Sequence, residues 1–373
     1  MVFNGTADTL FQWVEDMQIQ RETILAQLLI AYEHQCENDQ HEPDAGLLGQ
    51  ALHLLQQRLS QVPVDQELAH LGNALYLYLR AFEQTRDLLT QYRRQPLSPY
   101  EEAWARWRTI DCLALEHKND EVVAEQSAFL QWAMQSLPLE HCLFVLNDGT
   151  QASAWLLAGK QQEWFKLFEQ LMAAVPPTHE NREDRFLCIR TAINVHLHAD
   201  NPEQARRLMP LFGQLELDGF TWEENTDMQI EIQAMHIDIL GALQEIEHLR
   251  QVGKKATEQL ISWKNSLHHP TSQQKRQIRR LCHNIASSLY QTRQYDLAIP
   301  LFQIALSYGT TSEHTYAWLA ASMWMRDHEQ APVAALLQKA ERYDPSGKIV
   351  EIIRSLPELQ DFPYEPQFQP LYS

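Results

Sequence analysis

Glycine is scarce in this chain: 12 of 373 residues, about 3% against the roughly 7% of an average protein. That scarcity excludes collagen-like, linker-like and glycine-loop-rich architectures. Basic residues are also short, 30 against 49 acidic ones, for a net charge of −19. Binding to a phosphate backbone is carried by Lys and Arg, so this balance opposes nucleic acid or an anionic membrane as the main partner. The five cysteines, Cys36, Cys112, Cys142, Cys188 and Cys282, are odd in number and widely spread. They predict reduced thiols rather than a disulfide framework. No Lys or Arg precedes Arg21, and the most apolar early stretch, Ile24 to Tyr32, is interrupted by Gln27. A secretory leader and a bilayer span both need more than this, so a cytoplasmic protein is expected.

The acidity is uneven. Residues 1–100 hold 6 basic and 13 acidic groups, residues 101–245 hold 10 and 24, and residues 246–373 hold 14 and 12. The one locally basic zone is Lys254, Lys255, Lys264, Lys275, Arg276, Arg279 and Arg280, with only Glu258 opposing. Such runs are ordinarily solvated helix surface.

Helical signals recur, whereas the strand-like run Leu143–Leu146 before Asp148-Gly149 stands alone. Ser98-Pro99-Tyr100-Glu101 reads as a capping box with proline at the first helical position, where a missing N–H costs nothing. Asn201-Pro202-Glu203-Gln204, Thr271-Ser272-Gln273-Gln274 and Thr310-Thr311-Ser312-Glu313 follow similar grammar. Between the starts, apolar residues return every three or four positions, as in Trp104, Trp107, Ile110 and Leu113, the spacing of one helical stripe. Loops are expected at 39–45, 61–64, 95–97, 176–181, 217–220 and 268–270. The class is all-α. Pro357, Pro363, Pro366 and Pro370 disfavour helix at the end, predicting an extended tail over 357–373.

The clearest internal unit is Leu281–Gly309, with Ala286, Leu289, Tyr295, Ala298, Phe302 and Ala305 in order. Leu319-Ala320, Leu337, Ala340 and Pro345 repeat it downstream. Ala114, Ala133 and Pro138 are echoed by Ala152, Gly159, Phe168 and Pro176 upstream, with Ala114 to Ala152 spanning 38 positions. Small residues let paired helices approach, and aromatics fill the gap to the next pair. This pattern resembles the tetratricopeptide repeat, with Arg293 where that family usually has glycine at the turn. The resemblance covers about 103–345. It implies an α-solenoid, a right-handed superhelix of antiparallel helical hairpins over 96–356, behind an N-terminal bundle or cap at 1–95 with helices near 8–37, 46–60 and 65–94.

Catalytic signatures are missing: no Gly-x-Gly-x-x-Gly, no Gly-Lys-Ser/Thr phosphate loop, no His-Glu-x-x-His and no Gly-x-Ser-x-Gly. His34, Cys36 and His41 are the nearest approach to a metal cluster and lack a fourth ligand. A non-enzymatic protein without metal or cofactor is expected. The resemblance implies instead a groove, built from the first helix of each hairpin, that grasps a protein or peptide segment. Carried over by position, Arg280, His283, Asn284 and Ser287 lie on one stripe, Arg190 and Asn194 are the analogous pair earlier, and His314 and Trp318 continue the line. Asn donates and accepts at once, which suits a main-chain amide. The segment held would be basic or would end in a carboxylate. A second layout also fits the length: the response-regulator aspartyl phosphatases of Gram-positive bacteria, similar in pairing a helical bundle with such an array, would place Gln56 or Gln57 near a hydrolytic water. A third reading has the Phe362-Pro363-Tyr364-Glu365-Pro366 tail docking into a groove.

Overall fold

In the computed structural model the described residues are 27–28, 45–216, 226–268, 270–308, 313–343 and 348–363. They form helices and no strand. The chain divides into two compact units, residues 1–199 and 200–373, a division inside the span expected to be one array. His34, Cys36 and His41, the 39–45 and 217–220 loops and the helix start at Thr310 lie outside the described residues except for Ala45.

The first unit holds α1 (Ala45–Gln61), α2 (Gln66–Tyr78), α3 (Phe82–Tyr92), α4 (Pro99–Leu115), α5 (Asn119–Ser136), a 3-10 segment (Leu139–Leu146), α6 (Gly149–Leu157), α7 (Gln161–Ala174) and α8 (Arg182–His198). The expected helix near 65–94 is therefore two helices, broken at Leu79–Ala81 without glycine or proline to announce it. The strand-like run 143–146 is the end of a 3-10 segment, followed by Asp148, which caps the next helix. Ser98 and Glu101 make the capping box as read, each side chain taking the other's backbone N–H. The apolar core of α1 to α3 continues into Trp104 and Ala105 of α4, so packing runs past the boundary expected at 95.

The second unit holds α9 (Pro202–Leu208), a 3-10 turn (Met209–Leu215), α10 (Thr226–Ala242), α11 (Ile246–Ser266), α12 (Ser272–Gln291), α13 (Tyr295–Ser307), α14 (Glu313–Asp327), α15 (Gln330–Tyr343), α16 (Lys348–Ser355) and a final 3-10 turn (Pro357–Leu359). Each helix from α10 to α15 packs on its successor, and α12 also packs on α10 and α14. One apolar core runs from Ile230 to Phe362. The expectation of an extended tail is corrected for residues 357–363. Proline stops the α-helix there, but Leu359 and Phe362 are apolar enough to fold the segment back and are buried. Residues 364–373 are outside the described set.

One turn recurs through both units. Arg80, His117, Gly159, Asp200, Gln244, Arg293 and His328 all have positive φ, between 52° and 70°. Each stands in the short link between consecutive helices. Six of these links close helices that pack on each other; the seventh, Asp200, begins the second unit. At Arg80, His117, Gly159, Gln244 and Arg293 the following N–H reaches back five residues: Ala81 to Tyr76 O, Lys118 to Leu113 O, Lys160 to Trp155 O, Glu245 to Leu240 O and Gln294 to Leu289 O, at 2.7–3.0 Å. These are Schellman closures, which satisfy helix-end carbonyls through one left-handed residue. Glycine normally takes that position because it has no Cβ. Here it does so only at Gly159, which is how a chain so poor in glycine builds so many hairpins.

Candidate functional site

The recurring turn supplies a register. Counting back ten residues from each positive-φ residue gives His70, Trp107, Gly149, Arg190, Ala234, His283 and Trp318. Counting back six gives Ala74, Asp111, Ser153, Asn194, Asp238, Ser287 and Ser322. Arg190, His283 and Trp318 thus share one position, and Asn194 and Ser287 another. Asp111, Asp238, His70 and Trp107 occupy the same two positions and were missed. Their signal was the turn, and non-glycine residues hide it. The sequence pairing of Ala114 with Ala152 is out of register: Ala114 precedes its turn by three residues and Ala152 by seven.

In the second unit the structure gathers most of the anticipated residues on α12 and α14. The rings of His283 and Trp318 stack at 5.7 Å and 18°, and Thr315 Oγ1 lies 2.9 Å from His283 Nδ1. Trp318 also stacks with Tyr290 at 5.7 Å and, one turn away, with His314 at 5.0 Å. Burial holds the His283 imidazole neutral, its pKa pushed down to about 4, with the charge of His314 adding to the effect. Ser287 is half-buried and donates to His283 O at 2.7 Å. Asn284 and His314 are exposed. Arg280, also exposed, is held in an ion pair with Glu231 of α10. In the basic zone around it, Lys254 approaches Glu258 at 4.0 Å and Arg279 donates to Tyr308 O at 3.4 Å, the ordinary bonds of a solvated surface. Asp238 sits six residues before its turn with its pKa raised to about 6 by burial, which the adjacent Ser288 hydroxyl of α12 partly offsets.

In the first unit, α4, α5 and α6 carry a denser polar network. Arg108 Nη1 donates to Asp111 Oδ2 at 3.0 Å, and Gln151 Nε2 donates to Asp111 Oδ1 at 2.7 Å. Gln126 Nε2 donates to Gln151 Oε1 at 2.8 Å, and Trp155 Nε1 donates to Gln126 Oε1 at 2.6 Å. Both amides are thereby fixed in orientation, and the bonds run from Trp155 through Gln126 and Gln151 to the Asp111 carboxylate, with Gln126 Nε2 also donating to Val145 O at 2.5 Å. Burial nevertheless raises the pKa of Asp111 to about 7, with the charge of Asp148 adding and that of Arg108 opposing. Asp148, partly exposed, accepts from Gln151 N as the cap of α6 and feels the charges of Arg108 and Arg190. Arg190 and Asn194 are both half-buried on α8. Nearby, Asn147 Nδ2 donates to Asp184 Oδ1 at 3.1 Å. His70 stacks on Trp104 at 3.8 Å and 3°, and burial lowers its pKa to about 4.

The remaining candidates fall elsewhere. Gln56 and Gln57 are exposed on α1. His196 stacks on Phe165 at 3.7 Å, while His198 is exposed two residues on. Cys112, Cys142, Cys188 and Cys282 are free and buried, with pKa values raised by burial, which suppresses the reactive thiolate. Among the described residues no group of three or more His, Cys, Asp or Glu side chains is placed to hold a metal ion. None of their helices is long and apolar enough to cross a membrane.

No family model matches the sequence, and no curated protein is similar to it at a significant level.

Proposed function

We propose that this chain is a tetratricopeptide-like protein that binds an extended protein or peptide segment along the first helices of its hairpins. The observation that carries the reading is the recurring left-handed turn, which brings Arg190, His283 and Trp318 into one register and Asn194 and Ser287 into another. Side-chain contacts between successive first helices support it: Asp111 with Gln151, Glu231 with Arg280, and His283 with Trp318. Partly exposed Asn194 and exposed Asn284 offer paired donors and acceptors to a peptide main chain. In the first unit the acidic groups Asp148, near Arg190, and Asp184, bonded to Asn147, favour a segment with basic side chains, consistent with the overall charge of −19. The role is binding rather than catalysis, in a cytoplasmic setting.

The test is selection from a random peptide library on the wild-type chain, followed by affinity measurement on Asn194→Ala and Asn284→Ala. Two amide bonds lost from a bound main chain should weaken selected peptides by about tenfold or more. Peptides that bind both variants as well as the wild type would place binding elsewhere.

A further inference from the structure

Beyond the first-helix register, a second surface of the molecule is already occupied by its own chain. After α16 the sequence Leu356-Pro357-Glu358-Leu359-Gln360-Asp361-Phe362-Pro363 turns back onto α14. Phe362, 4% exposed, meets Trp324 edge to face at 5.1 Å and 88°. Gln330 Nε2 at the start of α15 donates to Pro363 O at 3.1 Å. Tyr290 lies near Glu358, whose carboxylate adds to burial in raising the pKa of the phenol. Tyr290, Trp324 and Gln330 all lie within five residues of the Arg293 or His328 turn, so the segment is seated along the turn ends of two adjacent hairpins.

The segment closes the apolar core through Leu359 and Phe362 but makes few polar bonds to the hairpins. Its backbone bonds, Leu359 N to Leu356 O, Gln360 N to Pro357 O and Phe362 N to Leu359 O, are local turns at 3.1–3.3 Å. Pro357 and Pro363 carry no N–H to donate to the hairpins. One carboxylate oxygen, Glu358 Oε2, is buried without a hydrogen-bond partner, an uncompensated desolvation that weakens the seated state. What the hairpins read is therefore an aromatic ring and the carbonyl of the proline that follows.

We propose that Trp324 and Gln330, beside Tyr290, form a docking surface for a partner segment with that aromatic-proline chemistry, and that residues 358–363 occupy it until such a segment displaces them. The tether gives the chain's own segment a high effective concentration, so the free surface should appear only when the tethered copy is weakened. The inference does not depend on the first-helix reading. It places a different ligand on a different part of the hairpins and stands if Asn194 and Asn284 prove irrelevant.

The experiment uses the full chain carrying Phe362→Ala, and a labelled synthetic peptide copying residues 354–366, followed by fluorescence anisotropy. The variant should bind the peptide about tenfold or more tightly than the wild type does, and adding Trp324→Ala should abolish the gain. Equal binding to wild type and variant, or none to a variant that keeps its helical circular dichroism, would overturn the proposal. So would concentration-dependent dimerisation of the variant without peptide uptake, which would make a second copy the occupant. If that variant does not fold, Phe362→Leu keeps an apolar side chain, leaves Trp324 and Gln330 intact, and is read with the same peptide and the same criteria.

Discussion

Two glycines with equal space around them should respond to alanine with opposite signs. A Cβ built on Gly49 or on Gly159 meets nothing within 4 Å, so neither substitution creates a clash. Gly49 is inside α1, where alanine removes the entropic penalty of glycine in a helix, worth about 0.8–1 kcal/mol. Gly159 has φ +70°, where a Cβ crowds the following carbonyl at a cost of about 1–2 kcal/mol. Stiffening the unfolded chain returns about 0.4–1 kcal/mol of that. Gly49→Ala should stabilise the first unit by about 1 kcal/mol and Gly159→Ala should destabilise it by about 0.5–1 kcal/mol. Neither glycine is among the proposed ligand contacts, so peptide binding should be unaffected. For a unit of residues 1–199 the two melting temperatures should separate by about 4–8 °C, since 1 kcal/mol moves a domain of that size by about 2–4 °C. Differential scanning calorimetry resolves this directly. Shifts of the same sign would refute the argument that backbone conformation, and not contact, selects glycine at the turn.

Asn73 stands seven residues before its turn, where Ile110, Ala152, Ile193, Ile237, Ala286 and Ala321 stand before theirs. It is 0% exposed and neither amide atom has a partner, so Asn73→Ala should raise stability by about 1–2 kcal/mol, measured as a higher urea midpoint. His283 should make the second unit sensitive to acid. Its pKa is lowered from 6.5 to about 4, so the stabilisation is present above pH 6.5 and is lost as pH falls toward 4. At pH 5 the loss should approach about 2 kcal/mol. Denaturant titrations at pH 7 and pH 5 should show that decrement in the wild type and a smaller one in His283→Gln; equal decrements would assign it to other groups.

The sequence by itself determined the helix starts after Ser98, Asn201 and Thr271. The capping boxes at Ser98 and Thr271 form as read, because a cap is a bond between residues three apart and needs no distant partner. The hairpin 281–309 was legible for the same reason: Ala286, Ala298 and Ala305, all buried, mark close helix approach with local spacing. The break at Leu79–Ala81 and the registers of Asp111 and Asp238 were not legible. Their turns use Arg80, His117 and Gln244 in a conformation that only the closing i to i−5 bond and the packed helices on either side make worthwhile. The final segment shows the same limit. Its prolines correctly excluded a continuing α-helix, but a local signal states what a backbone will not do and not what it will rest against. Tertiary structure alone decided that Phe362 would lie on Trp324 and Glu358 beside Tyr290, since burial of an aromatic ring depends on a surface assembled from residues more than thirty positions away.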